Sequence, residues 1–214
     1  MLGGEGVSKE NSLIIQSMKP AKTLPTDYRP LYTLDLTKNI KAAILLNLGA
    51  LLAFFLYIRL FIWIGISIRP ELGVGELISL WSMEILTIIA AFIIMVFLHE
   101  GIHGFFFWLI TKERPRFGFK LAYAYAAAPD WHIPRNQFII VGLAPLVLIA
   151  IIGIALMPFL PLAWIPGLIF LLIFNSAGAM GDVVTVIISL FYPKQVLVND
   201  LGDSFTIYGV KEEK

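Results

Sequence analysis

His99 and His103 lie four residues apart in an apolar stretch, with Glu100 directly after the first. In a helix this spacing puts both imidazoles on one face, one turn apart, where both can reach a single metal ion. Glu100 then sits beside a metal-bound water and can take its proton. The chemistry such a trio could do is metal-assisted hydrolysis. The blander alternative is a set of buried polar residues hydrogen-bonded to neighbouring helices. Histidine and glutamate are costly at membrane depth, which favours the functional reading.

Zinc requires a third protein ligand and leaves its fourth position to water. The only other histidine is His132, in Asp130-Trp131-His132-Ile133-Pro134. That residue reads as a solvated interface residue, with a fourth-ligand role as the alternative. Of the acids after the motif, only Asp182 falls inside an apolar span. His103 and Asp182 each lie about eight residues from the same end of their spans. At about 1.5 Å per residue both sit some 12 Å below that face. Asp182 is therefore the expected third ligand; the alternatives are a partner for a polar residue such as Arg59 or a helix-break position beside Gly181. Asn175 precedes Asp182 by seven residues, close to two turns. It could bond a substrate carbonyl, hold an unwound segment or polarise an oxyanion, or simply bond across helices. Gly178 and Gly181 would permit close approach of helices or substrate. Arg59 and Glu84, near span ends, are explained by snorkelling or by pairing with each other.

These residues need a scaffold, and composition says which. The chain has 214 residues, 58% hydrophobic and only 14% charged. An ordinary soluble domain carries roughly 25% charged residues. Several apolar blocks reach the roughly 20 residues that one bilayer crossing needs. The spans expected are Ala42–Ile68, Trp81–Thr111, Phe138–Met157 and Leu162–Leu190, the last open to a break at Gly178 and Gly181. Pro158 to Pro161 should turn the chain between the third and fourth. This makes an all-α polytopic membrane bundle of about four helices, residues 42–190, between polar tails at 1–41 and 191–214. The first tail could be ordered around Tyr28–Leu36. It lacks the apolar region of a cleavable signal peptide, so the first span is expected to stay as an anchor. A net charge of +1 gives no global field for nucleic acid, and the absence of cysteine removes disulfides and thiolate ligands.

Lysine and arginine counts set the orientation. The N-terminal tail holds Lys9, Lys19, Lys22, Arg29, Lys38 and Lys41, and the connection after span two holds Lys112, Arg114, Arg116, Lys120 and Arg135. Four spans put these and the basic C-terminal tail on one side, expected to be the cytoplasm. Between spans two and three, Phe117 to Ala127 alternates large and small side chains with the period of a β-strand. It reads as a strand or hairpin lying on the bundle, or as an edge that pairs with an extended substrate.

A transmembrane His-Glu-x-x-His with a distal Asp on a later span resembles the site-two-protease-like intramembrane zinc metallopeptidases. The layout looks closest to a compact zincin peptidase branch, whose second signature is similar to Asn175-Ser-Ala-Gly178-Ala-Met-Gly181-Asp182. The resemblance covers about Ala90 to Leu190. It implies that His99, His103 and Asp182 bind Zn²⁺, that Glu100 is the catalytic base, and that Phe117–Ala127 is the strand that pairs with a transmembrane substrate. Better-known members carry prolines between the Asn and the Asp and a Gly after the Asp; here Ser, Ala, Gly and Met intervene and Val183 follows. The function expected is an intramembrane zinc endopeptidase. A catalytically silent zinc-containing scaffold or chaperone is the alternative, and a metal transporter a weaker one.

Overall fold

The computed structural model describes residues 19–73, 85–120 and 123–210. Four helical segments are long and apolar enough to cross a membrane: Ile40–Ile68, Ile88–Thr111, Arg135–Leu156 and Leu162–Leu190. This supports a multi-pass membrane protein, as the composition requires. In full, α1 is Ile40–Ile68, α2 is Ile85–Thr111 and α3 is Arg135–Leu156. The expected start of span two at Trp81, and Glu84 with it, lie outside the described residues. Helix α3 begins three residues before the expected Phe138. Its polar first turn, Arg135-Asn136-Gln137, is invisible to a hydropathy criterion but follows Pro134, which cannot donate into a preceding helix.

The fourth span is divided. A 3-10 turn, Leu162–Trp164, leads into α4 (Ile165–Gly178), and α5 (Met180–Leu190) follows after the single residue Ala179. Ala179 has φ −67° and ψ 2°. The break falls between the two glycines that the sequence marked for it. Chain direction is kept because the Ala179 N–H still donates to the Asn175 carbonyl and the Val183 N–H to Ala179.

The chain gathers into two compact units. One comprises residues 41–102 and 143–183. Its core joins Phe61, Leu72, Ile149, Met157, Ile165, Ile169, Leu172 and Ile173. Gly153 of α3 sits against Leu172 of α4, where a Cβ would fall 2.6 Å from Leu172 Cδ2. Only glycine allows that approach. Arg69, just after α1, ties the turn after α3 by donating to the Met157 and Leu160 carbonyls.

The other unit comprises the chain up to residue 40, residues 103–142, and residues from 184 onward. It holds every described strand. Two form the hairpin expected between spans two and three: β2 (Arg116–Lys120) pairs antiparallel with β3 (Tyr123–Ala127), Gly118 opposite Tyr125. The rest form a four-stranded antiparallel sheet that composition did not announce. Its order is β1 (Tyr28–Asp35), β6 (Ser204–Val210), β5 (Leu197–Asp200), β4 (Ile133–Pro134). Residues 191–214 therefore contribute two strands where only a polar tail was expected, and β1 orders the first tail over the segment foreseen. Strand β6 alternates, burying Phe205, Ile207 and Gly209. Phe205 stacks on Phe138 of α3 with ring centroids 6.3 Å apart.

Gly153→Ala should lower stability by about 1–3 kcal/mol, because the buried Leu172 has nowhere to go. Gly178→Ala, where a Cβ meets nothing within 4 Å, should leave the packing alone. Thermal unfolding of the two variants in detergent micelles measures the difference.

Candidate metal centre

Helix α2 buries one stripe. Ala91, Met95, His99, His103, Phe107 and Thr111 are all buried, at steps of four residues. Leu98, Phe105, Trp108 and Leu109 are exposed, as a lipid-facing surface requires. The two histidines thus continue the stripe that buries apolar side chains above and below them. Glu100 is half-buried on the adjoining face.

Each imidazole is held by an oxygen acceptor at Nδ1. His103 Nδ1 lies 3.0 Å from the Val141 carbonyl oxygen. A carbonyl can only accept, so this nitrogen carries the proton. His99 Nδ1 lies 2.9 Å from Asn175 Oδ1. The Asn175 amide is oriented by its other end, where Nδ2 donates to the Pro145 carbonyl at 3.4 Å. Since that carbonyl only accepts, the amide oxygen must face His99, and His99 too is protonated at Nδ1.

The lone pair of His99 is therefore on Nε2, and Nε2 lies 3.2 Å from Asp182 Oδ2. A buried lone pair and a half-buried carboxylate face each other, which is unfavourable unless a cation or proton lies between them. Tetrahedral zinc with bonds near 2.0–2.1 Å keeps its nitrogen and oxygen ligands about 3.4 Å apart. One ligand atom from each of His99, His103 and Asp182 lies within 4.8 Å of the other two. The donor set fits zinc, and the one ligand-to-ligand distance seen directly, 3.2 Å between His99 Nε2 and Asp182 Oδ2, is close to the tetrahedral spacing. Asp182 stands in the first turn of α5, where the positive end of the helix dipole favours an anionic side chain.

The remaining candidates have other roles. Asn175 is fully buried, with both ends of its amide engaged. Its observed partners are His99 and Pro145, so it orients a ligand, a task the sequence offered only as a generic helix-to-helix bond. His132 is not in the metal group among the described residues. Its Nδ1 donates to the Ala21 carbonyl at 3.2 Å, and its ring meets Tyr208 edge-on at 5.2 Å. Arg59 is exposed on α1. Where a Cβ would sit on Gly101, Gly178 or Gly181, no other atom lies within 4 Å. The helix-to-helix approach expected at Gly178 and Gly181 is thus not made. Val141 and Pro145 were missed from sequence. A backbone carbonyl leaves no side-chain signal, and a proline inside a span was the only cue.

Outside the spans, Glu113 is held below the ordinary carboxylate range by Lys22 at 2.5 Å and by the Trp131 indole N–H at 3.0 Å. His132 is pushed below 6.5 by burial, which the Ala21 carbonyl only partly offsets.

Four helices long and apolar enough to cross a membrane, with two histidines and an aspartate grouped where they could hold a metal ion, make a possible metal site in a multi-pass protein. Residues 92–197 match the model of a family described as putative zincin peptidase. That match takes in all of His99, Glu100, His103, Asn175 and Asp182, and it supports a zincin-like peptidase family and hence zinc. No curated protein and no solved structure matches the chain.

Asp182→Ala should lose stoichiometric zinc, read by metal analysis of the purified protein against wild type. Retained zinc would place the third ligand elsewhere. His132 gives an independent pH test. Its folded pKa lies below the unfolded value, so the folded state binds fewer protons and stability falls as pH drops through about 6.5. The melting temperature of His132→Gln should fall less than that of wild type between pH 7.5 and 5.5.

Proposed function

We propose that this chain is an intramembrane zinc endopeptidase that hydrolyses a peptide bond of a membrane-embedded substrate. The observation that carries the reading is the pairing of a zinc-ready donor set with an acid that a structural site does not need. His99, His103 and Asp182 supply the ligands, and Glu100 stands between the histidines on the same helix. When bound, zinc supplies a Lewis acid that acidifies water and polarises a carbonyl. Glu100 takes the proton of the attacking water and passes it to the leaving amine. Asn175 holds His99 by its amide oxygen.

The hairpin supports the same reading. Phe117 and Phe119 of β2 are exposed. Phe117 also lies over Gly104, where a Cβ would be 2.4 Å from its ring. Gly104 directly follows His103, so the hairpin rests on α2 beside a ligand. No third strand joins this sheet among the described residues. An unwound transmembrane segment could add to it by main-chain hydrogen bonds. The basic segments before span one, after span two and after span four favour a cytoplasmic side for the termini, the hairpin and the zinc site.

Glu100→Gln should retain zinc yet cleave a model transmembrane substrate about 10²–10⁴-fold more slowly in detergent. Equal cleavage by the variant would remove Glu100 from the mechanism. Stoichiometric zinc in wild type with no turnover on a broad peptide set would favour the silent scaffold.

A further inference from the structure

Proline is an uncommon residue inside a helix, because it lacks an N–H and crowds the carbonyl four residues before it. Helix α3 nevertheless continues through Pro145, which is fully buried. In an unbroken helix the carbonyl of Val141 would accept the N–H of residue 145. Pro145 has no such hydrogen, so the Val141 carbonyl lacks its usual partner. It is this carbonyl that lies 3.0 Å from His103 Nδ1.

The second histidine depends on the same residue by another route. The Pro145 carbonyl receives Asn175 Nδ2 at 3.4 Å, and Asn175 Oδ1 lies 2.9 Å from His99 Nδ1. Val141 and Pro145 are one turn apart on α3, so their carbonyls serve the two histidines from one helix face. The donors match in spacing: His99 and His103 are also one turn apart, on α2.

We infer that Pro145 is the positioning residue of the metal centre. By withholding one backbone hydrogen and offering one backbone oxygen, it fixes both ligand histidines in the Nδ1–H form and leaves both Nε2 lone pairs for the metal. The inference rests on the zinc-site reading above. It assigns a function to a residue with no metal-binding or acid–base chemistry of its own. Groups that hold a ligating histidine by its second nitrogen typically change metal affinity about 10–100-fold when lost.

The two arms can be separated. Pro145→Ala restores an N–H at 145, which competes for the Val141 carbonyl and should act on His103. Asn175→Leu removes the acceptor for His99 and leaves the Val141 carbonyl in place. The measurement is ¹⁵N NMR of histidine-labelled, metal-free protein in micelles, which distinguishes Nδ1–H from Nε2–H rings. Wild type should show His103 as Nδ1–H and His99 with a proton on Nδ1, whether or not a second proton sits between His99 Nε2 and Asp182. Pro145→Ala should raise the Nε2–H form at His103, and Asn175→Leu at His99. Zinc affinity, from competition with a chelator, should fall at least about 10-fold in each. Asn175→Asp, which keeps an oxygen toward His99, should restore the Nδ1–H form there.

Unchanged ring forms in both variants, with zinc affinity within twofold of wild type, would overturn the inference. So would a wild type in which either ring is the neutral Nε2–H form, with no proton on Nδ1. If Pro145→Ala does not fold, the Asn175 pair still decides the His99 arm, and the wild-type spectrum still decides His103. The spectra need neither zinc nor substrate. A protein that proves not to cleave therefore leaves this test standing, and failure here leaves the Glu100→Gln experiment untouched.

Discussion

A lone pair on His99 and a carboxylate oxygen of Asp182 face each other across 3.2 Å in a chain built mostly of apolar residues. With His99 protonated at Nδ1, the contact needs one thing more, a proton on Nε2 or on the carboxyl, or a metal ion between them. His99 is buried and Asp182 only partly so, and an isolated charge within a membrane span costs several kcal/mol. The arrangement is stable only with something positive between the two atoms. Much of the rest can be understood as holding this unfavourable meeting in place. The buried stripe of α2 fixes the rotation of the helix that carries the histidines, and the division of the fourth span fixes where the carboxylate enters.

That division changes what the aspartate experiences. Within one continuous helix, residue 182 would sit mid-span among closed peptide hydrogen bonds. With α4 ended at Gly178 and α5 begun at Met180, it lies in the first turn of a new helix. An anionic side chain is favoured there. The same break leaves Gly178 and Gly181 facing open space rather than another helix. A tightly packed crossing would have given more stability and less room.

Much of the site was legible because it is local. Two histidines and a glutamate within five residues need only helical periodicity to be read as a cluster. Asp182 was found by depth, since few acids can lie inside a span without cause. The spans themselves follow from length and hydropathy, and the break from two glycines. The β-sheet was not legible. β4 has two residues and β5 four; β5 has its neighbour β6 for one partner, but β4 and β1 reach this sheet from far away in sequence. Such strands are defined by partners, not by their own pattern. Asn175 was singled out, but its role depends on which way an amide is turned, and that is settled by a proline carbonyl 30 residues earlier. His132 had the right chemistry for a ligand. Its partners are a backbone oxygen and a tyrosine ring, which no spacing rule could disclose.

The β1–β6 ladder also counts membrane crossings. Tyr28 to Asp35 precede the first span, Ser204 to Val210 follow the last, and the two runs are joined by backbone hydrogen bonds along most of their length. Strands so joined cannot stand on opposite faces of a bilayer. The number of crossings between them is therefore even, whatever the charges suggest. β4 enters the same sheet from the connection after α2, so the crossings before it are even in number, and those after it as well. A chain bound this way obeys a parity rule written in its hydrogen bonds. A fifth crossing between β1 and β6 would require the sheet to come apart.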